Sequence, residues 1–266
     1  MSAETEVDRR PLDADELHRR LTQADGLWRD VTVVPQTGST NADLLEQARA
    51  GAEEGLVLVA EEQTQGRGRL GRAWSAPPRA ALIFSVLLRP AGVPPTRLGW
   101  LPLLTGMAVA TAVREQAGVP ARLKWPNDVL VGERKLAGIL AEAHGDAVVV
   151  GVGLNVTLSQ PELPVPTATS LLIEQAASTD RTSLLAAILT GLGRRYQAWR
   201  ADPGHAELRD GYLRWCATIG REVRVELPGG ALLTGTATDV DDAGRLVVRT
   251  PESLVPVGAG DVVHVR

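Results

Sequence analysis

The chain has a single cysteine, Cys216, which excludes an internal disulfide, and no CxxC or paired Cys/His spacing offers a structural zinc site. Cys216 reads as a small buried thiol. Long apolar runs are missing as well. The most apolar stretch, Trp100 to Val113, is shorter than the roughly 20 residues a membrane helix needs and contains Pro102, so it reads as a buried helix. The opening residues MSAETEVDRRP are polar and acidic and lack the basic start and apolar centre of a secretory signal, so a cytoplasmic protein with no membrane partner is expected. There is no excess of positive charge: 28 Lys and Arg stand against 32 Asp and Glu, a formal net charge of -4. The chain as a whole therefore has no pull on nucleic acid, although a local basic loop can still bind phosphates. Internal repeats, low-complexity tracts and the GxxxxGK[ST] phosphate loop are also absent.

What is present is an ordinary globular composition, 44% hydrophobic and 23% charged over 266 residues, enough for a main domain carrying a small second one. Asp13 to Ala24 reads as a short amphipathic helix, with Leu17 and Leu21 at helical spacing. Gly38-Ser39-Thr40-Asn41 offers caps for a helix over Ala42 to Ala50, with Gly51 as its stop. Leu56 to Ala60 and Ala81 to Leu88 read as buried strands, and Arg97 to Gln116 as a long helix behind a sheet, closed by Gly118 and Pro120. Leu123, Val129 to Val131, Leu136 to Leu140 and Ala147 to Val152 alternate with turn signals, which predicts an antiparallel meander. Thr157 to Thr169 holds three prolines and reads as a long mobile loop. Thr182 to Trp199 and His205 to Cys216 read as closing helices. From Glu222 the texture changes to short strands, Val223 to Leu227, Leu232 to Thr238, Arg245 to Arg249 and Val262 to Val265, broken by Pro228-Gly229-Gly230 and Asp241 to Gly244. A small β-barrel of roughly 45 residues is expected there.

Gly66-Arg67-Gly68-Arg69-Leu70-Gly71 satisfies GxGxxG after a strand, but the context is wrong for a dinucleotide fold. Ala76-Pro77-Pro78 opposes the helix that motif must open, and Val86 to Ala91 supplies no acidic ribose partner. What remains is a glycine-rich loop with Arg67, Arg69 and Arg72 at short spacing, followed by Trp74. It reads either as a loop that grips an anion through guanidinium forks or as a solvated basic turn.

A second motif, Lys124-Trp125-Pro126-Asn127-Asp128, is followed seven residues later by Lys135 in Lys135-Leu136-Ala137-Gly138-Ile139-Leu140. Taken with Gly66 to Ser75, Gly38-Ser39-Thr40-Asn41 and Gly151-Val152-Gly153-Leu154-Asn155, it resembles the biotin protein ligase family in order and spacing. Ala168-Thr169-Ser170-Leu171 and the C-terminal strands extend the similarity over most of the chain. The resemblance implies an α+β protein: a mixed-sheet catalytic domain resembling class II aminoacyl-tRNA synthetases over residues 1–218, and an SH3-like barrel over 219–266. Bifunctional members carry an N-terminal winged helix that binds DNA, whereas about 38 residues precede the Gly-Ser-Thr-Asn motif here. A ligase without a repressor role, and with no DNA partner, is expected.

The activity implied is ATP-dependent activation of biotin to biotinyl-5'-AMP, then transfer to a lysine of a biotin carboxyl carrier domain of an acyl-CoA or pyruvate carboxylase. Bringing two anions together makes electrostatic stabilisation the main task. Arg69 and Lys135 are the cations expected near the carboxylate and α-phosphate, with Arg72 nearer the pyrophosphate. Lys124 is the rival lysine, but it precedes Trp125-Pro126, where its side chain is expected to turn outward. ATP is expected as a Mg²⁺ complex, with no tightly bound metal. Asp128 is the candidate ligand, or else a turn residue capping its own backbone. Ser39, Thr40, Asn41, Gln63, Gly66, Arg67 and Gly68 are assigned to biotin, with Gly138 and Gly153 admitting close backbone approach and Trp74 as a cover. Ser39 to Asn41 also read as helix caps, and both roles can coexist. Asn155, with Arg69, Arg72 and Trp74, is assigned to the nucleotide. The loops 66–78 and 157–169 are expected to close over the ligand. A lipoate or octanoate ligase or transferase of related fold is the alternative, disfavoured because its Arg-rich Ser-Gly-Gly motif is missing. The protein is expected as a monomer or weak homodimer.

Overall fold

The computed structural model describes residues 9–24, 26–204, 206–227 and 229–265. The first eight residues of the polar opening, His205 of the last predicted helix and Pro228 of the predicted turn lie outside the described residues. The larger sheet has seven strands: β1 (Asp30–Val34), β2 (Leu56–Ala60), β3 (Ala81–Leu88), β4 (Arg122–Lys124), β5 (Asp128–Val131), β6 (Arg134–His144) and β7 (Ala147–Asn155). Their order in space is β1-β2-β3-β7-β6-β5-β4, so the last four form the meander the turn signals predict. Only β1 and β2 run parallel; the sheet is mixed.

Strand alternation decides where everything else sits. On β3, Leu82, Phe84, Val86 and Leu88 point into the main core, which is closed by α1 (Ala14–Leu21), α3 (Trp100–Ala117) and α4 (Arg181–Ala201). The alternate positions, including Ser85 and Leu87, face the other side, where α2 (Thr40–Arg49) buries Leu44, Leu45 and Ala48. Ser39 starts α2 by accepting from the Ala42 amide, and Gly51 at φ 88° gives the left-handed stop. Because β3 and β7 are buried at every position, their sequences carry no polar alternation.

After α5 (Ala206–Trp215) a second, all-antiparallel sheet follows: β8 (Glu222–Glu226), β9 (Leu232–Val240), β10 (Leu246–Arg249), β11 (Leu254–Val257) and β12 (Asp261–His264), ordered β11-β10-β9-β8-β12. Its inward residues, Val223, Val225, Ala237 and Val248 among them, belong to the same contiguous core as the larger sheet. Two indoles fasten the join: Trp125 Nε1 donates to the Gly244 carbonyl and Trp100 Nε1 to that of Asp242, each at 3.0 Å.

Two points depart from expectation and one agrees with it. Strands β1 and β11 were not foreseen. The Thr157 to Thr169 segment is not a free loop: it contains a 3-10 turn at Gln160–Glu162, and Lys135 exchanges backbone hydrogen bonds of 2.8 Å with Thr167 and Thr169. The Gly66 to Gly71 stretch opens no α-helix, only a short 3-10 turn at Arg69–Gly71, as the Pro-rich context predicts.

Candidate active site

A cavity of about 670 Å³ opens on the α2 side of the larger sheet. Its floor is backbone. Gly138 on β6 lies opposite Gly153 on β7, and Gly151 lies opposite Ser85 on β3, so no side chain rises from the sheet at these three points. Trp74, carried by the glycine/arginine loop, covers the first pair: a Cβ at Gly153 would stand 2.3 Å from its indole, and one at Gly138 3.4 Å. The Trp74 Nε1 is buried without a hydrogen-bond partner among the described residues.

One end is polar and uncharged. Ser39 caps α2 and also lines the cavity, so both expected roles coexist. The Gln63 side-chain oxygen accepts from the Thr40 amide at 2.8 Å and lies 3.0 Å from the Thr40 hydroxyl. Asn41 is no cap: it is buried, donating to the Leu140 carbonyl and to Glu142.

The other end is charged. Lys135 Nζ sits 2.6 Å from Asp128 Oδ1. Arg69 donates to Asn127 Oδ1 at 3.1 Å and to the Gly260 carbonyl at 3.3 Å, and Arg72 pairs with Asp261. Asn127 is oriented by its own donation to the Ile139 carbonyl, which leaves its oxygen for Arg69. Burial lowers the Arg69 pKa, with Asp261 and Asp128 opposing it. The hydrogen bond and charge of Asp261 raise that of Arg72, and the same bond holds the Asp261 carboxyl below the usual carboxylate range.

The cavity thus gathers Ser39, Thr40, Asn41, Gln63, Arg67, Gly68, Arg69, Arg72, Trp74, Asp128, Lys135, Gly138, Gly153 and Asn155. Gly66 is the exception and does not line it. A Cβ there would meet the Trp74 carbonyl at 2.4 Å, so its role is to let the base of the loop close on itself. Lys124, expected to turn outward, lines the cavity too. Asn155 donates to the Thr169 carbonyl at 2.9 Å, which leaves its oxygen and its second N–H for another partner. Among the described residues no group of three or more His, Cys, Asp or Glu is arranged to hold a metal ion. Sequence reasoning missed Ser85, Asn127, Gly151 and Asp261 on the lining. Ser85 had a signal, as the one polar residue in Ala81–Leu88; Asp261 lies on another sheet and had none.

Residues 33–157 match the biotin/lipoate A/B protein ligase family, and residues 218–265 match the biotin protein ligase C-terminal domain. A biotin–[acetyl-CoA-carboxylase] ligase of Mycobacterium tuberculosis is 49% identical over 97% of both chains. A bifunctional ligase/repressor of Bacillus subtilis is 31% identical over 84% of this chain and 70% of its own. The structure of an Aquifex aeolicus biotin protein ligase in complex with biotin and ATP superimposes with a TM-score of 0.76 at 30% identity, covering 90% of this chain and all of that one. Similarity of this extent, on a site whose motifs converge in one cavity, shows that the chain belongs to the biotin protein ligase family.

Proposed function

We propose that the chain joins biotin to ATP, giving biotinyl-5'-AMP and pyrophosphate, and then transfers the biotinyl group to a lysine of a biotin carboxyl carrier domain. The observation that carries this reading is the layout of the cavity: a glycine-floored slot runs from an uncharged hydrogen-bonding end to an end where Lys135, Arg69 and Arg72 converge. A neutral bicycle with an apolar tail and a terminal carboxylate fits such a slot, and a volume of about 670 Å³ lies within the usual range for small-molecule sites.

In the first step a biotin carboxylate oxygen bonds to the α-phosphorus as the bond to pyrophosphate breaks. Lys135 and Arg69 stand where the carboxylate and α-phosphate crowd, Arg72 where pyrophosphate leaves, and Asn155 toward the adenine. Preorganised cations at such a point act chiefly on the transition state. ATP enters as its Mg²⁺ complex. Asp128 is the protein carboxylate that would hold the metal, whose charge would offset that of the phosphates. Asp128 also holds Lys135 in place at 2.6 Å. In the second step a neutral lysine amine of the carrier attacks the mixed anhydride and AMP departs. Trp74 and the loop carrying it shield the anhydride from water. We assign residues 1–218 to a catalytic domain like those of class II aminoacyl-tRNA synthetases and 219–266 to an SH3-like barrel. The acceptors are the carrier domains of acyl-CoA or pyruvate carboxylases, and the protein works in the cytoplasm as a monomer or weak homodimer.

The test is incubation with ATP, Mg²⁺, labelled biotin and a carrier domain. Label should appear on the carrier only with ATP, and excess lipoate should leave the signal unchanged. Preferential labelling by lipoate would overturn the reading.

A further inference from the structure

Residues 9–13 run as a strap across the outside of the catalytic sheet. The Leu12 amide donates to one oxygen of Glu61, the residue after β2, at 2.7 Å, and the Arg10 carbonyl accepts from Arg181 at 2.6 Å. Arg181, the first residue of α4, pairs with the other Glu61 oxygen at 2.6 Å, and the two side chains are only 5% and 8% exposed. The Asp13 amide adds a bond to the Thr182 hydroxyl at 3.1 Å. The strap is thus fixed to the buried interior before Arg9 reaches outward from it.

Arg9 spans to the 157–169 segment. Its guanidinium donates to the Thr157 carbonyl at 3.1 Å, to the Thr157 hydroxyl at 3.3 Å and to Glu162 at 2.6 Å. Glu162 is held from its other side by the amide and the hydroxyl of Ser159, each at 2.8 Å. The hydrogen bond from Arg9 is the chief cause that lowers the Glu162 carboxyl to about 2, so the pair stays charged at neutral pH. Beyond Glu162 the chain enters the active site. Leu163 packs on a small cluster of Ala80, Ala81, Ile83 and Leu158, which Ala76 of the glycine/arginine loop also joins. Pro164 and Val165 line the cavity, and Thr167 and Thr169 bracket Lys135 with backbone hydrogen bonds of 2.8 Å. The stretch between clasp and bracket is short and holds Pro164 and Pro166, whose rings fix φ, so a shift at Glu162 is passed along the chain rather than absorbed.

We propose that Arg9 is a positioning residue for adenylation: by clasping Glu162 it sets the 157–169 wall of the cavity and the backbone bracket from which Lys135 reaches the reacting groups. This rests on the reading of Lys135 as the cation at the carboxylate and α-phosphate. Asp128 fixes the amine of Lys135 and the bracket fixes its backbone, so the two together define where the charge stands. A lone surface ion pair would matter little. This one joins residues 153 positions apart, engages three oxygens on two residues, and hangs from a strap nailed to a buried ion pair.

The test measures pyrophosphate exchange and biotin affinity on the unsubstituted chain and its variants, with melting temperature as the check of folding. In Arg9→Ala the kcat for exchange should fall about tenfold while the Kd for biotin changes less than about twofold, because misplacing a catalytic group acts on the rate and not on binding elsewhere. Arg9→Lys keeps the charge beside Glu162 and gives up the Thr157 contacts, so it should recover to within about threefold of the parent. Glu162→Gln weakens the clasp without touching the strap; it should lose about threefold in kcat at unchanged biotin Kd, and it decides the matter if Arg9→Ala does not fold. Arg9→Ala placed on Lys135→Ala should cause no further loss, since its effect passes through that lysine. Exchange in Arg9→Ala and Glu162→Gln equal to that of the parent, or a loss that recurs undiminished on the Lys135→Ala background, overturns the proposal and leaves the ligase reading standing. Normal exchange in Lys135→Ala, or none in the unsubstituted chain, removes the reading on which it rests.

Discussion

Lys135 and Lys124 both line the cavity, but among the described residues Lys135 alone of the two has an ion-pair partner there, Asp128 at 2.6 Å, and it lies beside Gly138. A cation held in advance stabilises charge without reorganising at the moment of reaction. Lys135→Ala should therefore cut pyrophosphate exchange on the order of 10² to 10³-fold while biotin affinity changes far less. Exchange that is abolished in Lys124→Ala and normal in Lys135→Ala would reverse the assignment. Gly153 makes a steric prediction. An alanine methyl would stand 2.3 Å from the Trp74 indole, so Gly153→Ala must expel Trp74 from the floor. Limited proteolysis should then cut the 66–78 loop faster than in the parent, and equal cutting would show that Trp74 does not cover this glycine. At this scale most of the site was legible, because the motif residues are defined by chemistry that any sequence shows. Asp261 was not, since nothing local marks a residue about 190 positions from Arg72 as its partner. Gly66 does not line the cavity, and its sequence could not say so, because glycine gives the same signal whether it admits a ligand or a neighbouring backbone.

Among the elements, the glycine/arginine loop is closed at its base by the Trp74 amide donating to the Gly66 carbonyl, and its tip is tied to the second sheet through Arg69 to Gly260 and Arg72 to Asp261. The Arg72 pair is largely exposed, and such pairs contribute only about 0.2 to 1 kcal/mol. The tip is therefore weakly fastened, and a polyanionic ligand can compete for both arginines. Asp261→Asn should lower amide protection at Arg67 to Ala73 by no more than about fivefold, as measured by hydrogen exchange, because the Arg69 contact persists. A hundredfold loss would mean that the Asp261 contact holds the whole loop. The elements themselves were read well where both faces are buried, as in β2, β3 and β7, since continuous apolar runs announce them. The two strands missed lie at sheet edges. Strand β1 buries only Val31, and β11 contains Pro256, which normally argues against a strand but is tolerated where an edge leaves one side unpaired.

For the molecule as a whole, the continuous core and the indole bonds from Trp125 and Trp100 join the two sheets, and they should unfold together although the sequence texture changes after Glu222. Trp125→Ala should cost about 3 to 5 kcal/mol and lower a single calorimetric transition without splitting it. His264 makes the same coupling visible through pH. Its ring lies between the sheets, with Nε2 3.2 Å from the Thr218 hydroxyl, which in turn accepts from the Trp125 amide. Burial lowers its pKa below the ordinary 6.5; Lys124 and Arg221 push the same way, and Glu133 only partly opposes them. Between its folded value and about 6.5 the unfolded chain binds more protons than the folded one, so stability rises with pH across that window. The contribution is fully present above about 6.5, and it is lost as pH falls toward and through the folded value. His264→Gln keeps a donor for Thr218 and removes the titration. The melting temperature of the parent should therefore fall more steeply than that of the variant between about pH 7 and pH 5. Parallel melting curves over that range would show that His264 does not link the sheets through its charge.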